Sequence, residues 1–147
     1  MRQTVHAFFW AACVAAWLLG PSRLEAAEVP VKMIVHPTRA NGMTPAEVRA
    51  IYLKQKLLWQ DGQPIIPINL EAGSRARALF SQRVFGQSPR RLASYWNQRY
   101  FEAGEFPPAT LASEEAVLRF VSENPNAVGY VTKERVGDSV AVVLLLK

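Results

Sequence analysis

Four serine or threonine residues, each set just ahead of a run with helical spacing, constrain this chain more than any other feature. Thr44-Pro45-Ala46-Glu47 is a capping box with proline at the first helical position. Ser88-Pro89 repeats the cap-then-proline signal. Ser74 and Ser113 hold the same position before two further runs, and Glu114-Glu115 suits the positive end of a helix. Between these starts lie short apolar runs bounded by turn formers: residues 31–36, VKMIVH; 65–70, IIPINL; 127–132, AVGYVT; and 140–146, VAVVLLL. Gly86 and Asn124-Pro125 supply helix stops. The predicted order is β-α-β-α-α-α-β-β, without repeats or low-complexity stretches. That order points to the α/β class, one three-layer domain with a mixed central sheet. The segment AGEFPPAT is expected to be loop. The last strand, apolar throughout, is expected to be covered on both faces.

The amino terminus is read separately from the fold. Arg2 precedes an apolar run of 14 residues, Ala7 to Gly20, which Pro21 breaks, and Ala26 offers a small residue before a cleavage point. These are the features of a secretory signal peptide over residues 1–26, leaving a domain over 27–147 that is secreted or periplasmic. A membrane span needs about 20 apolar residues, so the run is short for an uncleaved anchor, the alternative reading. No stable membrane span is expected after cleavage. Cys13 sits in the middle of the run rather than after it, which argues against lipidation.

Removing Arg2, Arg23 and Glu25 from the chain's 17 basic and 12 acidic residues leaves 15 and 11, a charge of about +4. With an export signal, such a balance favours anionic small molecules or an acidic envelope surface as partners, and argues against nucleic acid. The exported part has no cysteine, so its stability rests on a hydrophobic core that a domain of this length can supply. Its one histidine is His36, which excludes a His-based metal site, and no cofactor is expected.

Residues 63–80, QPIIPINLEAGSRARALF, carry the clearest functional signal. A strand runs into Gly73-Ser74, and a helix with Arg75 and Arg77 in its opening turn follows. That turn exposes unpaired N–H groups and the positive end of the macrodipole. Two arginines there oppose the dipole unless an anion sits among them. Gly73 lets a ligand approach the backbone, and Ser74 can cap the helix or donate its hydroxyl outward. The residues outline an oxyanion corner, with Thr38 in the loop after the first strand as an extra donor. The competing reading is a serine cap with solvated arginines.

Other constellations carry less. Ser74 as a nucleophile would need a base, and AGSRA lacks the second glycine of the G-x-S-x-G elbow. Tyr95, Trp96, Tyr100 and Phe101 could stack a ligand, but their helical spacing is better explained by packing. Arg90, Arg91 and Arg99 read as a solvated face. Gly129 inside a strand marks a bulge or a close backbone approach, with the lining of a ligand cleft as the alternative.

Taken in this order, the elements resemble the periplasmic phosphate-binding protein of ABC-type transporters, one of the two-lobed periplasmic binding proteins. AEVRAIYLKQKLLWQDGQPIIPI is similar to that family's A-D-I-F-L-G-K-x-x-x-W-x-D-G segment and the strand after it. EAGSRARALF stands at the place of its S-x-G-S-G-T-x-x-x-F loop, and PNAVGYV is close to its P-G-A-I-G-Y-V strand. The likeness spans about residues 31–146, and its landmarks belong to the family's second lobe. It implies a single periplasmic-binding-protein-like lobe that binds an inorganic oxyanion such as phosphate without catalysis, with an envelope or transporter protein as partner. The alternative it leaves is an envelope interaction or assembly module that has lost the ligand. Of the family's contacts, Gly73 and Ser74 carry over. Leu70 stands where the family has arginine, and Arg75-Ala76 where it has Gly-Thr. Arg75 or Arg77 would then supply the missing charge from the other side of the loop.

Overall fold

The strand that begins the domain ends up inside its sheet, between the last two strands. In the computed structural model, which describes residues 28–147, β1 (Val31–Val35) is flanked by β4 (Ala127–Val131) and β5 (Ala141–Leu146). The segment read as a signal peptide lies outside the described residues. The other elements are a 3-10 turn at Pro37–Arg39, α1 (Pro45–Tyr52), β2 (Ile66–Leu70), α2 (Arg75–Phe85), α3 (Pro89–Ala103), β3 (Ala109–Leu111) and α4 (Glu114–Glu123). The sheet order is β3-β2-β4-β1-β5, with β2 parallel to both β3 and β4, and β1 antiparallel to both β4 and β5. The predicted α/β class and mixed sheet are what the structure has.

All four caps form. The Oγ1 of Thr44 accepts from the Glu47 N–H at 3.2 Å while the Glu47 carboxylate accepts from the Thr44 N–H at 3.0 Å. Ser74, Ser88 and Ser113 each accept from the N–H three residues on, at 3.1, 3.4 and 3.1 Å.

Alternation along β4 builds the layers, because successive side chains of a strand face opposite ways. Tyr130 faces α1 and α2: its ring stacks on Phe80 at 3.9 Å, and Tyr52 closes the group at 4.6 Å from Phe80. Gly129 faces α4, where a Cβ would fall 2.5 Å from the Val117 side chain and 3.2 Å from that of Val121. The glycine therefore lets α4 sit down on the sheet. Close approach is its role; it does not line a ligand cleft.

Both tyrosines of that group also repair the sheet. Pro67 has no N–H to give, and pairing between β2 and β4 covers only Ile66 with Ala127 and Pro67 with Val128. Beyond it, the Tyr52 hydroxyl donates to the Ile68 carbonyl at 2.9 Å. The Tyr130 hydroxyl accepts from the Leu70 N–H at 3.1 Å and donates to Asn69 Oδ1 at 3.2 Å. Burial in this core pushes both phenols up from their ordinary pKa, so they stay protonated donors.

Three expectations need correction. The stretch read as loop before Ser113 contains β3, whose Ala109, Thr110 and Leu111 pair with Ile68, Asn69 and Leu70. The apolar β5 is an edge strand rather than a central one, with Val142 41 % and Leu145 51 % exposed. A register shift opposite Met33/Ile34 and a hydrogen bond from the Met43 N–H to the Val143 carbonyl (3.4 Å) blunt that edge. On α3 only Leu92 and Trp96 are buried, while Tyr100 and Phe101 face outward.

Candidate anion site

The corner forms where β2 hands over to α2. The Ser74 N–H donates to the Glu71 carbonyl at 3.0 Å, closing a tight turn, and Ser74 keeps an extended backbone so that its Oγ can take the Arg77 N–H. Accepting that bond leaves the hydroxyl proton free for an outside acceptor. A Cβ built on Gly73 would meet nothing within 4 Å, so the space over the loop is open. No acid stands in the first turn of α2.

The two arginines have different surroundings. Arg75 is exposed. Arg77 is partly buried, and its Nε is shut away from solvent with no hydrogen-bond partner among the described residues. Its guanidinium also acts on the Tyr130 phenol, through its charge and then through a side-chain hydrogen bond, and offsets part of the rise that burial imposes there. A buried, unpaired N–H on a charged group costs on the order of 1–3 kcal/mol or more, so it marks a place where an acceptor is wanted.

Arg77 opens onto a cavity of about 410 Å³ on the face of the sheet that carries α2 and α3. Asn69, from the end of β2, and Thr110, from β3, line it beside Arg77. The Asn69 oxygen is taken by Tyr130, which leaves its NH₂ group to offer. Trp96, Asn97 and Tyr100 from α3 and Phe106 from the following loop also line it. Gly73, Ser74, Arg75 and Arg77 share the turn that opens α2, but of the four only Arg77 lines this cavity, and Arg75 is exposed.

Thr38 does not join them. Val35 and Pro67 are both level with Val128, so β1 ends where β2 is starting. β2 then runs three residues further to Leu70, about 10 Å at ~3.3 Å per residue, while Thr38 leaves in the opposite direction. There its Oγ1 lies 2.8 Å from His36 Nδ1. The same topology keeps His36 from Ser74, so among the described residues the serine has no imidazole base. No cluster of metal-binding side chains occurs among the described residues.

Sequence reasoning missed Asn69, Thr110 and the aromatic wall. Asn69 had left a signal, a lone polar residue in an apolar strand. For Trp96 and Tyr100 the helical spacing reads as packing, and Phe106 carries no signal of its own.

No protein-family model matches the chain, and no curated protein is significantly similar to it in sequence. Among solved structures, it is similar to a putative phosphate ABC transporter substrate-binding protein with bound phosphate from Clostridium perfringens. That match has a TM-score of 0.60 and 23 % identity, over 77 % of this chain and 43 % of that one. An ABC-type phosphate transport receptor from Vibrio cholerae matches with a TM-score of 0.60 and 20 % identity, over 77 % of this chain and 44 % of that one. The fold is periplasmic-binding-protein-like. The chain spans less than half the length of either protein. No helix among the described residues is long and apolar enough to cross a membrane.

Proposed function

We propose that this protein is an exported, periplasmic binding module for a phosphate-like oxyanion, of the substrate-binding kind that serves ABC transporters, and that it has no catalytic role. Residues 1–26 act as its signal peptide and 27–147 form one binding-protein-like lobe. The observation that carries the reading is Arg77, whose side chain lines the cavity and whose Nε is buried without a partner, in the acid-free opening turn that Ser74 caps with its hydroxyl proton still to give. The fold shared with a protein that holds phosphate supports it. Arg75 adds long-range attraction, while Thr38 takes no part.

Buried oxyanion binding depends on excluding water, and this corner is open, so the affinity is modest. Calorimetric titration with phosphate and sulfate tests the reading. Binding at millimolar anion, lost in Arg77→Gln and weakened in Ser74→Ala, is the expected result. No heat and no thermal stabilisation in the wild type would refute it.

A second reading is favoured by a separate surface. Leu57 and Leu58 are exposed beside Pro64, Pro107 and Pro108, around a groove of about 580 Å³. Apolar surface of this kind often marks an interface, which fits an envelope assembly module that has lost its ligand. A concentration-dependent oligomer or a purified envelope partner, together with silence towards anions, would favour it.

A further inference from the structure

The cavity beside Arg77 is built for more than an ion. A bare phosphate loses its hydration on entry and must find donors for all its oxygens. Here the side-chain donors are few: Arg77, Asn69 and Thr110, with Asn97 on α3. Trp96, Tyr100 and Phe106 also line it, and their rings give an oxyanion no useful partner and repel it at their faces. The volume, about 410 Å³, lies within the ~300–1,000 Å³ typical of sites for small organic molecules. Such sites pair mostly apolar walls with a few placed polar groups, which is the division seen here.

The wall is also incompletely used by the fold. Trp96 is buried, but Tyr100 is 48 % and Phe106 63 % exposed, and their rings lean on each other at 5.1 Å at the mouth of the cavity. Rigid rings with one open face offer contact area to a ligand at little entropic cost. Arg99, which could have drawn an anion to this end, is tied to Glu105 by two hydrogen bonds of 3.0 and 2.7 Å. The charge that remains to direct a ligand is therefore at the Arg77 end.

Building on the anion reading of the Arg77 corner, we infer that the ligand is an organic anion. It carries one phosphate-like head held by Arg77, Asn69 and Thr110, and a planar apolar group lying against Trp96, Tyr100 and Phe106. Inorganic phosphate occupies only the polar end and leaves the aromatic wall wet.

Three probes test this on the purified chain by calorimetry, at a pH where both anions are doubly charged: inorganic phosphate, phenyl phosphate and phenol. Phenyl phosphate should bind at least tenfold more tightly than inorganic phosphate, and phenol should not bind at the same concentrations. Combining Tyr100→Ala with Phe106→Ala, both at exposed positions the fold does not need, should bring the ratio of the two anion affinities to about one. Arg77→Gln should weaken both anions. Equal affinity for the two anions in the wild type would overturn this inference and leave the anion reading standing, as would a phenyl phosphate preference that survives the double variant. Phenol binding as well as phenyl phosphate, with Arg77→Gln silent, would overturn the anion reading and this inference with it. So would binding of neither anion.

Discussion

Helices α2 and α3 begin with nearly the same chemistry and end with the same cap, yet only one of them makes a site. Each has a serine N-cap, two arginines in its opening turn, no acid there, and a left-handed glycine at its C-cap, with φ of 66° at both Gly86 and Gly104. α2 lies across the sheet and buries Ala76, Phe80, Ser81 and Val84. α3 has α2 as its principal neighbour, leaves Arg90 and Arg91 in solvent, and shows Phe101 84 % exposed. The contrast teaches that a basic helix start is a solvated surface until packing buries one of its arginines, here shutting the Nε of Arg77 away without a partner. The remaining two helix starts invert the charge. In α1, Glu47 is used by Thr44 and Lys56; in α4, Glu114 accepts from the Thr132 and Lys133 N–H groups at 2.7 and 3.0 Å. Acids at a helix start are satisfied by the protein itself, whereas Arg77 is not.

The largest expected effect tests whether α2 and α3 differ in burial as described. Phe80→Ala should cost about 3–5 kcal/mol in urea denaturation, since it empties the ring stack against Tyr130 and Tyr52. Phe101→Ala should stay within about 0.5 kcal/mol of the wild type. Comparable losses would mean that α3 is as firmly covered as α2, and the contrast would break.

A smaller effect addresses the charges. Arg77→Met removes a buried unpaired N–H and a charge opposed to the dipole while keeping the apolar stem. It should raise stability by about 1 kcal/mol in anion-free, low-salt buffer and abolish any stabilisation by phosphate. Arg91→Met removes only a dipole-opposed charge, a gain of about 0.3 kcal/mol that salt should erase, with the phosphate response intact. Melting temperatures with and without phosphate separate the two. Neutral behaviour of both variants under both conditions would make the start of α2 as ordinary as that of α3.

The smallest effect sharpens the comparison with α1. The Lys56 hydrogen bond, then the Thr44 N–H, hold the Glu47 carboxyl below its ordinary value of 4.5. Its folded pKa is thus lower than its unfolded one, so its contribution is complete above the ordinary value and is lost as pH falls through the lower folded value. The group is well exposed, and screening limits the effect to a few tenths of a kcal/mol, roughly the range of surface pairs. Glu47→Gln should flatten that part of the acid limb of a melting-temperature profile. Identical acid limbs would show that the box contributes no charge-dependent stability.

Much of the fold was legible because its signals are local. Caps at Thr44, Ser74, Ser88 and Ser113 compete for N–H groups within three residues, and apolar spacing shows which side chains share a face. β3 was not legible: three residues after two prolines become a strand only because Ile68 to Leu70 lie alongside. The open face of β5 and the outward Tyr100 and Phe101 were misread for a related reason, since spacing defines a face but not what covers it.

The site divides along the same line. That Gly73, Ser74 and Arg77 share one turn follows from local sequence, because a strand end, a cap and a first helical turn are fixed by neighbours in the chain. That Thr38 leaves from the other end of the sheet follows from long-range pairing, which sets strand direction. Packing likewise buries the Nε of Arg77 while Arg75 and Arg91 stay exposed, because desolvation depends on everything packed around a group. Among the described residues, what surrounds Arg77 comes from β2, β3, β4 and α3, up to about fifty residues away in sequence.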